Sequence, residues 1–355
     1  MSEPSLESAV SLADVEELAR RAMPHMVYEY VASGAADEVT LRWNREAFDR
    51  IALRPRVLRD VAAVDTRVTL FGREHALPVL LAPTAYHRVL HPEAELATAR
   101  GAAAAGVTWV VSTSTNTAVE EIARAAGGAP LWFQLYVQPD RALTRDTVLR
   151  AQDAGCEALC LTVDTPVLGP RDRQARAGFV LPPGTPTPHL EDATSGRRPI
   201  MATPGRVAVT WKDVEWLLAA ARVPVLLKGI LDPDDAERAL DAGAHGVIVS
   251  NHGARNLDTA PATIDALPAV AERVAGRGPV LVDGGVRRGT DVVKALAFGA
   301  RAVLVGRPVL WGLAAAGEEG VVAVLEILKK ELDLALALSG CRSVSEATRD
   351  LVEGA

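Results

Sequence analysis

In Ser250-Asn251-His252-Gly253-Ala254-Arg255 a histidine and an arginine stand three residues apart, directly after the apolar run Gly246-Val247-Ile248-Val249. Histidine exchanges its proton near neutral pH, because its unperturbed pKa is about 6.5. Arginine grips a carboxylate through two parallel hydrogen bonds. Together they suit a site that holds a small acid and takes a proton from it. Their place, where a buried strand opens into a loop, raises the question of what else the chain brings to that end of the fold.

From residue 78 onward, strand-like apolar runs alternate with Ala-rich helical stretches. The runs are Pro78–Ala82, Val107–Ser112, Leu131–Tyr136, Ala158–Asp164, Val223–Lys228, Gly246–Ser250, Val280–Asp283 and Ala302–Val305. Helical patterns between them cover Glu93–Ala105, Val119–Ala126, Arg141–Ala154, Pro233–Ala242, Thr290–Phe298 and Glu318–Leu338. Continuously apolar strands are expected where helices cover both faces of a parallel sheet. Eight βα units close most simply into a (β/α)8 TIM barrel. An open doubly wound sheet is disfavoured, since no Gly-x-Gly-x-x-Gly turn follows the first strand. Residues 1–77 read as an N-terminal helical extension on a barrel of residues 78–355. One helix starts near Ser11, and another covers His25–Val31 and ends at Ser33-Gly34. The Pro-, Thr- and Gly-rich stretch near 181–209 follows the fourth strand, where a long loop suits a lid.

Barrel enzymes carry their chemistry at the C-terminal strand ends. Here those ends hold Pro83-Thr84-Ala85-Tyr86, Ser112-Thr113-Ser114, Gln134-Leu135-Tyr136, Thr162-Val163-Asp164, Lys228-Gly229, Ser250-Asn251-His252, Asp283-Gly284-Gly285-Val286-Arg287 and Gly306-Arg307-Pro308. Singly, each side chain has a structural explanation: a satisfied core tyrosine, a helix cap, a snorkelling lysine. Jointly, on one rim, they point to a site. Loops after the last two strands often bind phosphate through backbone N–H groups and a helix N-terminus. Gly284-Gly285 permits close backbone approach, and Arg287 and Arg307 add charge. A phosphorylated cofactor lying across the barrel mouth is the implication.

Composition narrows the classes. The 355 residues carry a net charge of −7 and only 4% aromatics against 49% hydrophobic residues. That balance argues against a nucleic-acid surface, which needs clustered Lys and Arg. No run approaches the ~20 apolar residues of a membrane helix. No export signal opens the chain, which leads us to expect a cytoplasmic enzyme. Cys156, Cys160 and Cys341 show no metal-ligand spacing and read as buried free thiols; no metal site is expected.

Taken in order, these segments resemble the FMN-dependent (S)-2-hydroxy acid oxidases and dehydrogenases, the glycolate, lactate, mandelate and hydroxymandelate enzymes. The resemblance runs from Met26-Val27-Tyr28-Glu29-Tyr30 through Thr162-Val163-Asp164-Thr165-Pro166 and Ser250–Asp258 to Gly306-Arg307-Pro308. It implies FMN as cofactor and His252 as the base, with Asp164 orienting its imidazole. It implies that Arg255, Arg171 and Tyr30 hold the substrate carboxylate and that Tyr136 meets its hydroxyl. Lys228 would sit beside the flavin N1 and C2 oxygen. Ala82, Pro83, Thr84, Ala85, Ser112, Gln134, Thr162 and Ser250 would line the flavin, and Asp283, Gly284, Gly285, Arg287, Gly306 and Arg307 would hold the phosphate end. The implied product is a 2-oxo acid, with O2 reduced to H2O2; the alternative is a dehydrogenase passing electrons to a quinone or protein carrier. Relatives commonly form tetramers, so a homo-oligomer is expected. Ser114 stands where glycolate oxidases carry a tryptophan, and Tyr86 also departs from the glycolate pattern. Both suggest a bulkier, mandelate-like substrate. The rival readings are a different flavin reaction such as isomerisation, which would lack the paired arginines and the His252–Asp164 couple, and a non-catalytic barrel.

Overall fold

The computed structural model describes residues 5–190 and 209–354. Its centre is a closed barrel of eight parallel strands: β1 (Val79–Leu81), β2 (Trp109–Ser112), β3 (Leu131–Leu135), β4 (Leu159–Thr162), β5 (Val225–Ile230), β6 (Gly246–Val249), β7 (Val280–Asp283) and β8 (Ala302–Val305). Each pairs with its sequence neighbour, and β8 closes on β1 through Val303↔Val79 and Leu304↔Leu80. The (β/α)8 architecture expected from the sequence is the one observed.

Alternation along the strands separates two cores. Leu80, Val110, Trp132, Cys160, Leu226, Ile248, Leu281 and Leu304 form one buried cluster, filling the barrel interior. Their neighbours, such as Leu81, Trp109, Val111 and Phe133, belong to the cluster shared with the helices. A short hairpin, Val68–Leu70 with Arg73–His75, lends Leu70 to the interior cluster and sets Phe71 against Trp132. His75 Nδ1 lies 2.8 Å from the Thr108 hydroxyl just before β2, so the hairpin sits at the N-terminal end of the barrel, opposite the strand ends that carry the polar residues.

Three helices precede the barrel: α1 (Leu12–Ala22), α2 (His25–Ala32) and α3 (Val39–Arg50). Ser11 and Asp14 start α1 with a reciprocal capping box. Its apolar face packs on the last helical span, Arg307–Leu338. That span departs from the expected Glu318–Leu338 by starting at Arg307, and it breaks at Ala316 and Gly317, where Gly317 has φ +57°.

Three of the longer helices went unforeseen in the sequence: α3, Trp211–Ala220 and Thr263–Val274. In α3 two of the four buried positions are polar, Thr40 and Asn44, so the apolar stripe on its inward face is short. The fourth strand ends at Thr162 rather than Asp164. The fifth runs past Lys228 to Ile230, with a register shift at Gly229, whose φ is +110°. Of the expected lid near 181–209, residues 191–208 lie outside the described residues.

Candidate functional site

A cleft opens at the C-terminal strand ends. Every expected site residue lines it except Asp164 and Ser250, and both lie immediately behind lining residues. His252, Gly253 and Ala254 all have positive φ, at +57°, +60° and +62°. Each non-glycine residue held there costs roughly 1–2 kcal/mol. The turn is held because the Asn251 side-chain oxygen accepts from the Ala254 N–H at 3.1 Å, and Ser250 Oγ accepts from the His252 N–H at 3.0 Å. That same Ser250 oxygen accepts from Lys228 Nζ at 2.9 Å. Ser250 therefore braces the histidine against the lysine from below the cleft.

The imidazole is fixed at both nitrogens. His252 Nδ1 lies 2.8 Å from Asp164 Oδ1, and Nε2 lies 3.5 Å from the Tyr136 hydroxyl. Asp164 is itself held: Thr165 Oγ1 donates to its Oδ1 at 2.9 Å, and Asn256 donates to its main-chain oxygen at 2.9 Å. Burial alone would push the Asp164 carboxyl up. The charges of His252 and Lys228, with hydrogen bonds from His252 and Thr165, outweigh burial and hold it below the ordinary carboxylate value. An anion behind Nδ1 leaves Nε2 as the nitrogen facing the cleft to receive a proton.

Lys228 is buried and ion-paired with Asp283 at 2.9 Å. Burial works against its charge, but Asp283 and Asp164 outweigh that and raise its pKa, so it stays cationic at neutral pH. The Tyr136 hydroxyl is pushed up by burial and by the Asp164 charge, so it remains a neutral donor.

Four arginines face the cleft without a carboxylate partner among the described residues: Arg171, Arg255, Arg287 and Arg307. Main-chain oxygens take much of their donor capacity. Arg255 donates to Ser33 O at 2.7 Å and to Gln174 Oε1 at 3.3 Å. Arg307 donates to Val31 O, Gly253 O and Ser33 O at 2.9, 2.9 and 3.0 Å. Arg287 lies over the Trp311 ring at 4.8 Å. Burial first, and mutual repulsion second, push Arg255 and Arg287 down, and burial does the same to Arg307. Guanidinium groups do not give up their proton in proteins, so this burial is an electrostatic cost that a bound anion relieves.

The cleft has room and hydrogen-bonding capacity for such a ligand. Ser114 Oγ and Asp283 Oδ1, both on lining residues, are buried without a hydrogen-bond partner. Gly284 and Gly285 have φ of +93° and +89°, and a Cβ on Gly285 would lie 2.1 Å from Asn44 O. Only glycine fits there. A Cβ on Gly306 would occupy the space between Ala82 and Thr84. A glycine cradle with unpaired cations at one end, and a base with further cations at the other, fits a flavin mononucleotide beside a carboxylic acid.

Sequence reasoning missed several contributors. Val31, Gly253, Val286, Leu304, Val305 and Leu310 also line the cleft but carry no chemical signal. Ser33 acts through its main-chain oxygen, which no residue type advertises. Thr165 and Asn256 lie inside the quoted motifs, where their spacing to Asp164 and His252 was the available clue. Ser114 lines the cleft as expected. Tyr86 does not: it is buried with its ring 6.3 Å from Tyr30, which in turn stacks on Phe179 at 4.3 Å.

Residues 19–354 match the model of the FMN-dependent dehydrogenase family, and the chain belongs to that family. It is 47% identical to an L-lactate oxidase of Nostoc sp. (strain PCC 7120 / SAG 25.82 / UTEX 2576), covering 96% of this chain and 97% of the relative. It is 50% identical to a peroxisomal (S)-2-hydroxy-acid oxidase of Oryza sativa subsp. japonica, covering 97% and 95%. A crystal structure of mandelate oxidase with benzoyl-formic acid superposes with a TM-score of 0.89 at 46% identity, covering 97% and 98%.

Proposed function

We propose that this enzyme oxidises the (S)-form of a bulky, mandelate-like 2-hydroxy acid to the 2-oxo acid, passing the electrons to O2 with release of H2O2. By family the chain is an FMN-dependent 2-hydroxy-acid oxidase. The observation that carries the reading is one cleft that joins His252, backed by Asp164, to half-buried arginines with no ion-pair partner among the described residues.

In this reading Arg171 and Arg255 bind the substrate carboxylate, with Tyr30 closing that side. Tyr136 donates to the substrate hydroxyl, and His252 Nε2 takes the proton. Asp164 holds the imidazole by Nδ1 and stabilises the imidazolium that forms. Ala82, Pro83, Thr84, Ala85, Ser112, Gln134 and Thr162 hold the flavin ring, and Ser250 keeps Lys228 and His252 in register. Asp283, Gly284, Gly285, Arg287, Gly306 and Arg307 hold the phosphate end. When bound, FMN supplies a two-electron acceptor. Lys228 stays cationic so that negative charge arriving on that acceptor is met by a fixed positive charge.

Two features support a bulky side chain. Ser114 leaves open the volume that a tryptophan would take, and solved structures of mandelate oxidase superpose over nearly the whole chain. The same reading divides the chain into a helical extension, 1–77, and an FMN-binding barrel, 78–355, with a lid near 181–209. It makes the enzyme a homo-oligomer, in keeping with the tetramers common among relatives. Three buried free thiols favour a reducing, cytoplasmic compartment. Among the described residues no helix is long and apolar enough to cross a membrane.

The test is anaerobic mixing of the flavin-loaded enzyme with glycolate, L-lactate and (S)-mandelate. Fastest bleaching by mandelate is expected, and fastest bleaching by glycolate overturns the bulky-substrate reading. Peroxide formed in air, mole for mole with 2-oxo acid, separates the oxidase from a carrier-linked dehydrogenase.

A further inference from the structure

Helix α3 lines none of the cleft but packs behind it, and its Asn44 meets the loop that carries the base. Asn44 is 2% exposed and points at the loop that carries the base. Its amide makes a reciprocal pair with Asn251: Asn44 Nδ2 donates to Asn251 Oδ1 at 3.0 Å, and Asn251 Nδ2 donates to Asn44 Oδ1 at 2.8 Å. Asn251 Oδ1 is the atom that also accepts from the Ala254 N–H and closes the left-handed turn at His252. The other end of that amide donates to Pro261 O at 3.1 Å. Asn44 thus fixes which way the Asn251 amide faces. A rotated Asn251 would turn its NH2 toward the Ala254 N–H and lose the side-chain bond to the turn, leaving only the bond from the Ala254 N–H to Asn251 O at 3.0 Å.

The same residue touches the glycine turn after β7. Its main-chain oxygen occupies the space beside Gly285, and its Nδ2 lies 3.2 Å from where a Gly284 Cβ would be. Asn44 Oδ1 accepts from the Thr263 N–H at 3.3 Å, and the Thr263 hydroxyl donates to Asp283 O at 2.5 Å. The neighbouring Arg45 donates to Gly285 O and pairs with Asp291 at 2.7 Å. One turn of α3 therefore contacts both the turn that presents His252 and the turn that carries Gly284 and Gly285.

We propose that Asn44 is a positioning residue that sets the His252 loop and the Gly284-Gly285 turn in a single register, so that FMN retention and base alignment depend on one buried amide pair. This rests on the assignment of the cleft as the FMN and hydroxy-acid site. Asn44 touches no reacting atom; it acts through Asn251 on one side and through Gly284, Gly285 and Thr263 on the other.

The experiment uses flavin-loaded enzyme. FMN release on dilution is followed by flavin fluorescence, and substrate-driven bleaching is followed anaerobically, for the parent, Asn44→Ala, Asn251→Ala and the double variant. Asn44→Ala is expected to raise the FMN dissociation constant at least tenfold and to slow bleaching at least tenfold in the flavin-loaded fraction. The double variant should lose little more than either single one, since both remove the same pair. Thr40→Val is the control, because the Thr40 hydroxyl anchors α3 to Ala260 O at 2.8 Å without reaching either turn. It should lower the melting temperature and leave FMN release at the parent rate. If Asn44→Ala does not fold, Asn44→Asp is read instead; it keeps the size but sets an acceptor against Asn251 Oδ1, and the same two losses are expected. Parent-like FMN release and bleaching in the folded variant overturn the proposal, as does additivity of the two single variants. A parent protein that binds no FMN overturns the site assignment instead, so the two failures are distinct.

Discussion

Replacing Asp164 by asparagine isolates the charge behind the base. The substituted amide would be nearly isosteric: its oxygen can still accept from His252 Nδ1 across the same 2.8 Å, and its NH2 falls where Asp164 Oδ2 now lies buried without a partner. What disappears is the negative charge. A carboxylate hydrogen-bonded to an imidazolium stabilises it by about 1.4–4 kcal/mol. If the imidazolium is largely formed when the substrate proton has moved, that whole contribution is lost from the barrier. Anaerobic bleaching at saturating substrate should then slow by about 10- to 1000-fold. FMN release should stay near the parent rate, because Asp164 does not line the cleft. A linked check follows from the depressed Asp164 carboxyl. A carboxyl lowered on folding stabilises above its unfolded value of about 3.9 and loses that contribution as pH falls through the lower folded value. The melting-temperature gap between parent and variant should therefore narrow below about pH 4. Bleaching of Asp164→Asn at the parent rate would refute the assignment of His252 as a base supported by that carboxylate.

Three further outcomes follow from the same geometry. Gly285→Ala should lower the melting temperature and speed FMN release, since φ is +89° and the new Cβ would lie 2.1 Å from Asn44 O; left-handed strain alone costs about 1–3 kcal/mol. FMN-free protein should be stabilised by added phosphate or sulfate, because the half-buried Arg287 and Arg307 have no ion-pair partner among the described residues; at about 100 times the dissociation constant the gain is about 2.7 kcal/mol, read as a rise in melting temperature absent with chloride at equal ionic strength. Ser114→Trp should shift the kcat/KM preference from mandelate toward short-chain acids by roughly tenfold or more, given about 1–3 kcal/mol per methylene-sized misfit, with FMN binding retained.

The catalytic end of the barrel is more legible in the sequence than its supports. His252, Lys228 and Asp164 stand out because each polar residue closely follows a continuously apolar run, and few folds place so many titratable groups at the ends of buried strands. Asp283-Gly284-Gly285 stands out because paired glycines after a strand have one common use. The supports are hidden for physical reasons. Asn44 and Thr40 put two polar residues among the four buried positions of α3, which leaves Ala47 and Phe48 as the apolar signal on its inward face. Ser33, Val31 and Gly253 hold arginines through carbonyl oxygens, which every residue possesses. The hairpin Val68–Leu70 with Arg73–His75 is too short to separate from loop by pattern. The overrun of β5 to Ile230 depends on the bulge at Gly229, which packs against the Asp164 side chain, a long-range contact that local pattern does not encode.

The closure of β8 on β1 bears on how the enzyme is born. Val79 waits for Val303, α1 waits for the helical span beginning at Arg307, and Ala52 and Leu53 wait for Glu353 and Val352. Arg307 is itself the residue that ties Val31 and Ser33 to the cleft. During synthesis at about 5–20 residues per second, the N-terminal helices and the first strand therefore spend on the order of ten seconds or more exposed, without the partners that cover them. Under the proposed site, a nascent chain stalled before residue 302 lacks Gly306 and Arg307, and its first strand lacks the strand that closes on it.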